Sequence, residues 1–470
     1  MLPDDTLLEV LHHCRGHKMH FYMSVWRPLV HVCKRWRRII FASPLHLRLL
    51  LFCNYKTPAR ESLDIWPPLP IMIKFSRWDT DDYEDIIAAL ERHDRITYIK
   101  FAMISGSELE TLSAFMQKPL PALTELSIMG ESMPVVPETF SGGFAPRLRK
   151  CGLHDIEFPA LPTFLMSTSQ LTDLTLTNIP GITPEVMATC LATLPNLTVL
   201  SLEPDFEDDS VDLPGFPSPP PLARADLPAL THFFEGDDQY LEKLVARIDA
   251  PFLYHIKVFF LTLPIHALSQ FYRFIARTER LREAHQVMVA LDHGTFSITN
   301  KSGSHLRLSS LYASSGWKIS SMARLCNDIS PLLSQVASLE LHGFKLPQVQ
   351  SQDDMESMTL QNFFRPFPVV EHLYVFGELV SVIAHVLGTL TGESASQVLP
   401  VLRNISFEER RPSGSIQEVI EPFLVMRQLS DRPVAFSHKI RPEEDIGSED
   451  TGSEVDVGSE VDIGSEVDDG

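Results

Sequence analysis

The sequence predicts an α/β chain: a small N-terminal helical module, then an irregular leucine-rich-repeat-like solenoid with one strand and one helix per unit, then a disordered acidic tail. Three observations predict this. Amphipathic helical stripes fill the first fifty residues, an apolar pattern L-x-x-L-x-L recurs from Ile96 onward, and everything after Arg441 carries twelve acidic residues and no Lys or Arg.

At 470 residues, with 44% hydrophobic and 21% charged, the chain has the composition of a folded globular protein of two to four domains. The net charge of -21 is uneven, because the twelve acidic residues of the tail leave about -9 on the rest. The first sixty residues run the other way, with ten Lys or Arg against Asp4, Asp5 and Glu9. Six cysteines (Cys14, Cys33, Cys53, Cys151, Cys190, Cys326) form no C-x-x-C pair, which points to reduced thiols rather than a disulfide framework or a zinc site. No apolar run reaches the roughly 18 to 20 residues of a membrane span, and Met-Leu-Pro-Asp-Asp is no signal peptide. The expected location is cytoplasmic and/or nuclear, with no membrane partner. The sequons at Asn196, Asn300 and Asn404 then meet no glycosylation machinery.

Residues 1–52 read as helices. Pro3 suits a first helical turn, and Asp4 and Asp5 face the positive end of the helix dipole, so a helix is expected from about Pro3 to Cys14, with Leu7, Leu8 and Leu11 on one face. Pro28 is expected to open a second helix, in which Leu29, Val32, Cys33, Trp36 and Ile40 form an apolar stripe and Ser43-Pro44 marks the stop. Helices this few bury too little to stand without a partner.

The Leu-Pro opening and the block from Leu29 to Pro44, LVHVCKRWRRIIFASP, resemble the F-box family. In that family the matching face docks on the Skp adaptor of a cullin-based ubiquitin ligase. The resemblance assigns adaptor contact to Leu2, Pro3, Leu7, Leu8, Leu11, Val32, Cys33 and Trp36. The segment from Arg15 to Trp26 departs from the family, being longer than its usual turn.

Two other readings of this head are weaker. Lys34, Arg35, Arg37 and Arg38 around Trp36 resemble a nucleic-acid footprint, but Trp36 belongs to the apolar stripe and the remaining chain is acidic, so no nucleic-acid partner is expected. His12, His13, Cys14, His17 and His20 are crowded, yet no second ligand pair at zinc spacing accompanies them, so no metal and no cofactor are expected.

Residues 53–95 read as a linker leading into the solenoid, which is assigned to 96–436. The pattern appears at Ile96-Ile99-Phe101, Leu123-Leu126-Ile128, Leu148-Cys151-Leu153, Leu171-Leu174-Leu176 and Leu197-Leu200-Leu202, at spacings of 27, 25, 23 and 26. It returns at Leu253-Ile256-Val258, Val336-Leu339-Leu341, Val370-Leu373-Val375 and Leu402-Ile405-Phe407. Alternation of the last two apolar residues with polar ones makes each a half-buried strand. Between them, Thr183-Pro184-Glu185 caps a helix with Met187, Cys190, Leu191 and Leu194 on one face. Residues 204–228, rich in proline and acid, read as an inserted loop, and residues 267–324 show no clean unit. Phrases such as Trp66-Pro-Pro-Leu-Pro70, Tyr240-Leu-Glu-Lys-Leu-Val-Ala-Arg-Ile-Asp249 and Arg427-Gln-Leu-Ser-Asp-Arg-Pro433 resemble an expanded group of fungal F-box proteins with degenerate leucine-rich repeats.

The outward places on the strands nominate Lys100, Glu125, Lys150, Asp173, Thr175, His255, Lys257, Glu340, His372 and Tyr374 as substrate-facing. Their mixed chemistry suits a protein surface better than a phosphate groove. Residues 437–470, with Gly-Ser-Glu repeats, read as the disordered tail, and Ser453, Ser459 and Ser465 precede acids as an acid-directed kinase prefers. No phosphate loop, nucleophile elbow or H-E-x-x-H occurs, so no catalytic residue is nominated. The resemblance therefore implies a non-enzymatic, SCF-type substrate-recognition subunit that meets an adaptor, a cullin scaffold and an unidentified protein substrate. The alternative is a leucine-rich-repeat scaffold that joins no ligase.

Overall fold

Segments in which Leu, Ile or Val alternate with single polar residues must extend, and once extended they have an apolar face that one strand cannot bury. In the computed structural model these segments pair side by side. The structure describes residues 3–13, 23–42, 50–53, 63, 68–76, 83–140, 145–203, 224–236, 238–260, 269–278, 280, 284–290, 295–300, 305–310, 319–343, 361–390, 392–409 and 415–440.

The strands, in chain order, are β1 (Leu51–Cys53), β2 (Ile71–Ser76), β3 (Ile96–Ile104), β4 (Glu125–Gly130), β5 (Lys150–His154) and β6 (Asp173–Thr177). Then come β7 (Val199–Glu203), β8 (Ala225–Asp226), β9 (His232–Glu235), β10 (Ile248–Asp249), β11 (His255–Phe260) and β12 (Ala284–Ala290). The last are β13 (Thr295–Asn300), β14 (His305–Ser310), β15 (Ser338–Gly343), β16 (His372–Gly377), β17 (Asn404–Glu409) and β18 (Ala435–Ile440). Among the described residues, sixteen of them form one sheet in the order β1-β2-β3-β4-β5-β6-β7-β9-β11-β14-β13-β12-β15-β16-β17-β18, while β8 and β10 pair separately. Pairing is parallel except where β13 runs antiparallel between β12 and β14.

Helices alternate with the strands, including Glu84–Leu90, Gly106–Ser113, Pro184–Leu191, Asp238–Val245, Ser269–Arg277, Leu379–Thr389 and Ile416–Leu429. Their buried residues and the inward residues of the strands make one continuous core. On most strands the intervening residues stay partly exposed, so one face of the sheet is covered and the other largely open; Met72 on β2, Thr295 and Ser297 on β13 and Ser309 on β14 are buried exceptions. Local rules explain the helix starts. Ser105 and Glu108 form a reciprocal capping box, and the Thr183 hydroxyl accepts from the Val186 N–H ahead of Pro184.

The second and third apolar residues of all nine sequence copies of the pattern lie on strands, β3 to β7, β11, β15, β16 and β17, while the first leads into the strand everywhere but β3. Parallel register stacks their second apolar residue into one buried row, Ile99, Leu126, Cys151, Leu174 and Leu200, which continues through Phe233, Ile256 and Leu306.

Several boundaries differ from expectation. The stretch taken as a linker, 53–95, contributes β2 and the helix Glu84–Leu90, and β1 at the end of the helical module pairs with β2. Residues 437–440, placed in the tail, belong to β18, which pairs along its length with β17. Ala225 and Asp226, at the end of the supposed inserted loop, form β8 against β10, while 204–223 lie outside the described residues. The unpatterned stretch 267–324 holds β12, β13 and β14, in which the chain overshoots and doubles back antiparallel.

The N-terminal helices are Asp4–His13, Met23–Val32 and Lys34–Ala42. The second begins at Met23 rather than Pro28, which sits inside it, and it breaks at Cys33 instead of running on through Trp36. Leu7, Val30, Ile39 and Ile40 are buried and join the same core as β1. Among the described residues no helix is long and apolar enough to cross a membrane.

Gly388 marks a tight contact between helices. A Cβ there would clash with the Val419 carbonyl oxygen of the last helix. Gly388→Ala would gain helix propensity of about 1 kcal/mol but must push two backbones apart. The clash is the larger effect, so the variant is expected to lose about 1–3 kcal/mol in denaturant unfolding; equal or greater stability would show that this contact is loose.

Candidate binding surface

The open face is built by register. Each parallel strand projects alternate residues outward, so neighbouring strands align them in rows. One row reads Tyr98, Glu125, Lys150, Asp173, Val199, His232, His255 and His305 across β3 to β14. The next reads Lys100, Ser127, Gly152, Thr175, Ser201, Phe234, Lys257 and Arg307.

All ten nominated substrate-facing residues lie on this face, in separate groups. Glu125, Lys150 and Asp173 are register neighbours on β4, β5 and β6, with Thr175 beside them and Lys100 one strand before. His255 and Lys257 share β11, while Glu340 pairs with Tyr374 on β16, two residues beyond His372. β14, β13 and β12 separate those last two groups. Burial, then the neighbouring Lys74, lowers the Lys100 pKa.

At the N-terminal ends of β4 to β7 the face has an open depression of about 710 Å³, lined by Glu125, Arg149, Lys150, Gln170, Asn196 and the threonines 124, 172 and 198. The three threonines in its lining belong to a longer threonine ladder. The hydroxyls of Thr97, Thr124, Thr172, Thr198 and Thr231 each donate to a carbonyl of the preceding strand or its lead-in, at 2.8–3.2 Å. The same end receives paired backbone N–H groups, such as those of Arg149 and Lys150 on the Thr124 carbonyl. Among the described residues Arg149 and Lys150 have no ion-pair partner. Two cations, one carboxylate and two amides around a hollow suit a polar peptide.

Further along, three imidazoles stack. His232 and His255 have ring centroids 5.4 Å apart at 28°, and His255 and His305 are 5.3 Å apart at 26°. The Tyr254 hydroxyl lies 3.4 Å from His232 Nε2, and the Thr231 hydroxyl 3.0 Å from Nδ1. Burial, then His305, His232, Lys257 and Arg307, push the His255 pKa down to about 4. Burial lowers His232 against the pull of Asp173, and lowers His305 with help from Arg307 and Lys257. All three are therefore neutral aromatic surface at pH 7. Among the described residues no His, Cys, Asp or Glu group could hold a metal. Burial pushes the thiols of Cys53 and Cys151 up to about 12, which leaves them unreactive.

The sequence missed His232, His305 and Arg307. Their strands have Glu235 at the third apolar place of β9 and Gly303 at the first of β14, so neither matched the pattern.

The helical module sorts the nominated adaptor contacts. Leu7 is buried and serves the core; Leu8 and Trp36 are half-buried and packed against it. Pro3 and Cys33 are exposed, and Val32 is 59% exposed. Leu11 lies on the first helix, and Leu2 lies outside the described residues. The basic cluster turns partly inward: Arg35 donates to Asp4 at 3.0 Å through Nε, Arg38 sits 3.7 Å from the same carboxylate, and Arg37 donates to the Val30 carbonyl at 3.1 Å. Of the crowded histidines, His12 and His13 end the first helix, while Cys14, His17 and His20 lie outside the described residues.

No family model matches the sequence, and no curated protein matches it.

Because the stacked histidines fold in their neutral form, their depressed pKa contributes stability that is complete above about pH 6.5 and is lost as pH falls toward 4. His255→Gln is expected to flatten the fall in Tm between pH 6.5 and 4. An unchanged slope would mean that His255 titrates alike folded and unfolded.

Proposed function

We propose that the chain is the substrate-recognition subunit of a cullin-based, SCF-type ubiquitin ligase. The three N-terminal helices dock on the Skp adaptor. The sheet and its helices are a degenerate leucine-rich-repeat solenoid whose open face takes a protein substrate. The observation that carries this reading is Val32, a valine 59% exposed at the break between two helices, next to exposed Cys33, on a module where Leu8 and Trp36 are half-buried. Apolar surface on so small a module needs a cover. A shaped protein partner would supply one.

The long open face supports the substrate half of the proposal. Its rows mix hydroxyls, amides, imidazoles and both charge signs, which suits a polypeptide more than one small molecule. The chain would then contribute proximity, holding its substrate near a charged ubiquitin carrier, while the bond-forming groups belong to other subunits.

Val32→Asp is the cleaner test, since Val32 touches solvent while Trp36 also packs on the core. Placing an unpaired carboxylate in a dry interface is expected to weaken adaptor binding by about 2 kcal/mol or more, roughly 30-fold, with Tm unchanged. Trp36→Ala is expected to lose a similar amount of affinity, about 2 kcal/mol, and to lower Tm as well. If the full chain co-purifies with no Skp adaptor, or Val32→Asp binds as tightly as the parent, the docking face is wrong and a scaffold without a ligase becomes the better description.

A further inference from the structure

The central patch of the open face is cationic. Arg307 is exposed and has no ion-pair partner among the described residues, and it pairs in register with Lys257. Below them His255 and His305 form the adjoining pair, with His232 on the far side of β11. The acid acting on this group is Asp173, in the same row as His232 but two strands away across Val199, while Tyr254 lies against His232 and Arg280 over the Tyr254 ring. The chain carries the opposite charge elsewhere: residues 442–470 hold twelve Asp or Glu and no cation.

We propose that the acidic segment 443–470 docks in cis on this patch, its carboxylates meeting Lys257, Arg307 and the three imidazoles. The proposal does not depend on the ligase reading. It would make the segment an intramolecular competitor for whatever the open face binds.

Reach favours this patch over Lys100 and Lys150 at the far end of the sheet. β18, which leads into the segment, is six strands from β14 and seven from β11 in the sheet. At about 4.8 Å per strand this is roughly 29 to 34 Å along the sheet. A Gly/Ser-rich acidic linker of about thirty residues spans roughly 30 Å root-mean-square. Lys150 on β5 and Lys100 on β3 are eleven and thirteen strands from β18, or roughly 53 and 62 Å. Those distances lie within the stretched limit of about 100 Å but well past the mean reach.

The path across the face is compatible. Between β14 and β18 the two outward rows read Thr299, Gln286, Ser338, His372 and Asn404, then buried Ser297, Met288, Glu340, Tyr374, Ser406 and Ser437. Glu340 is the one acid in those rows, and it accepts from the Gln286 amide at 2.6 Å. Tethering also raises the local concentration of the segment to roughly millimolar, so each weak, screened contact is made many times over. A docked polyanion favours protonated imidazole, so the histidines must titrate higher with the segment in place than without it.

The test uses the full chain and three full-length variants: one with the twelve acids after Arg441 changed to Asn or Gln, one carrying Lys257→Glu with Arg307→Glu, and one combining both sets of changes. Zero-length carbodiimide cross-linking in low salt, mapped by mass spectrometry, is expected to join Lys257 to a carboxylate of 443–470. The yield should hold on tenfold dilution and vanish in 0.5 M NaCl. Histidine hydrogen–deuterium exchange is expected to place the His255 midpoint about half a unit to one unit lower in the amidated variant than in the parent. Loss of cross-link on dilution would overturn docking in cis, in favour of contact between copies. A segment cross-linked to Lys100 or Lys150 instead, or an unmoved His255 midpoint, would overturn the patch. The Lys257→Glu, Arg307→Glu variant must bring the His255 midpoint of full chain and amidated chain together. None of these readouts involves an adaptor, so they stand or fall apart from the proposed ligase role.

Discussion

The structure depends on one constraint: a strand with a single apolar face, paired in parallel register, can bury that face when its neighbours and their helices extend the same row. Ile99, Leu126, Cys151, Leu174 and Leu200 are individually ordinary residues. Lined up, they are the spine of a core that runs from β1 to β17 without interruption. The same register fixes the other face. Once Leu174 is opposite Leu200, Asp173 must be opposite Val199 and Thr175 opposite Ser201, so the binding surface is a by-product of core alignment. A one-residue slip would exchange the two faces, and the threonine ladder at the strand starts adds side-chain bonds that resist it.

Ends are the difficult part of such an arrangement, because an outermost strand leaves backbone groups and apolar surface uncovered. At one end the helices Asp4–His13 to Lys34–Ala42 contribute Leu7, Val30, Ile39 and Ile40 to the same core as β1. At the other, the helix Ile416–Leu429 is held by the close approach at Gly388 and by Arg427, a fully buried guanidinium that donates to the carbonyls of Leu399 and Leu402 at 3.3 and 3.1 Å. Buried charge is costly, and Arg427 is retained where it ties the last helix to the turn before β17. Beyond it β18 stays largely exposed, with Ile440 53% accessible.

The sequence revealed the strands whose three apolar places are all filled and hid those with one place spoiled. β2 has Pro70 at the first place, β9 has Glu235 at the third, and β18 has Pro433 and His438. Those residues are tolerated because the missing side chain sits at a strand start or a rim, while Ile73, Phe233 and Phe436 keep the central row. Helix periodicity found the N-terminal stripe but could not divide it into core and exposed parts. Leu7 and Val32 satisfy the same pattern, and three-dimensional packing alone makes one buried and the other 59% exposed.

The cationic patch shows why a candidate site can be invisible in a sequence whose elements are mostly legible. His305 and Arg307 follow His255 and Lys257 by fifty residues, and by chain order β14 should lie beyond β12. The chain instead overshoots to β12 and returns through two antiparallel strands, which brings β14 back against β11. That reversal stacks His305 on His255 and places Arg307 beside Lys257. Burial first, and then the neighbouring charges, disfavours protonation there, and the imidazoles yield because they are the groups able to shed a proton near neutrality. A face so arranged sets the fixed charges of Lys257 and Arg307 beside neutral imidazoles, and an anion seated there would favour the protonated form of those imidazoles.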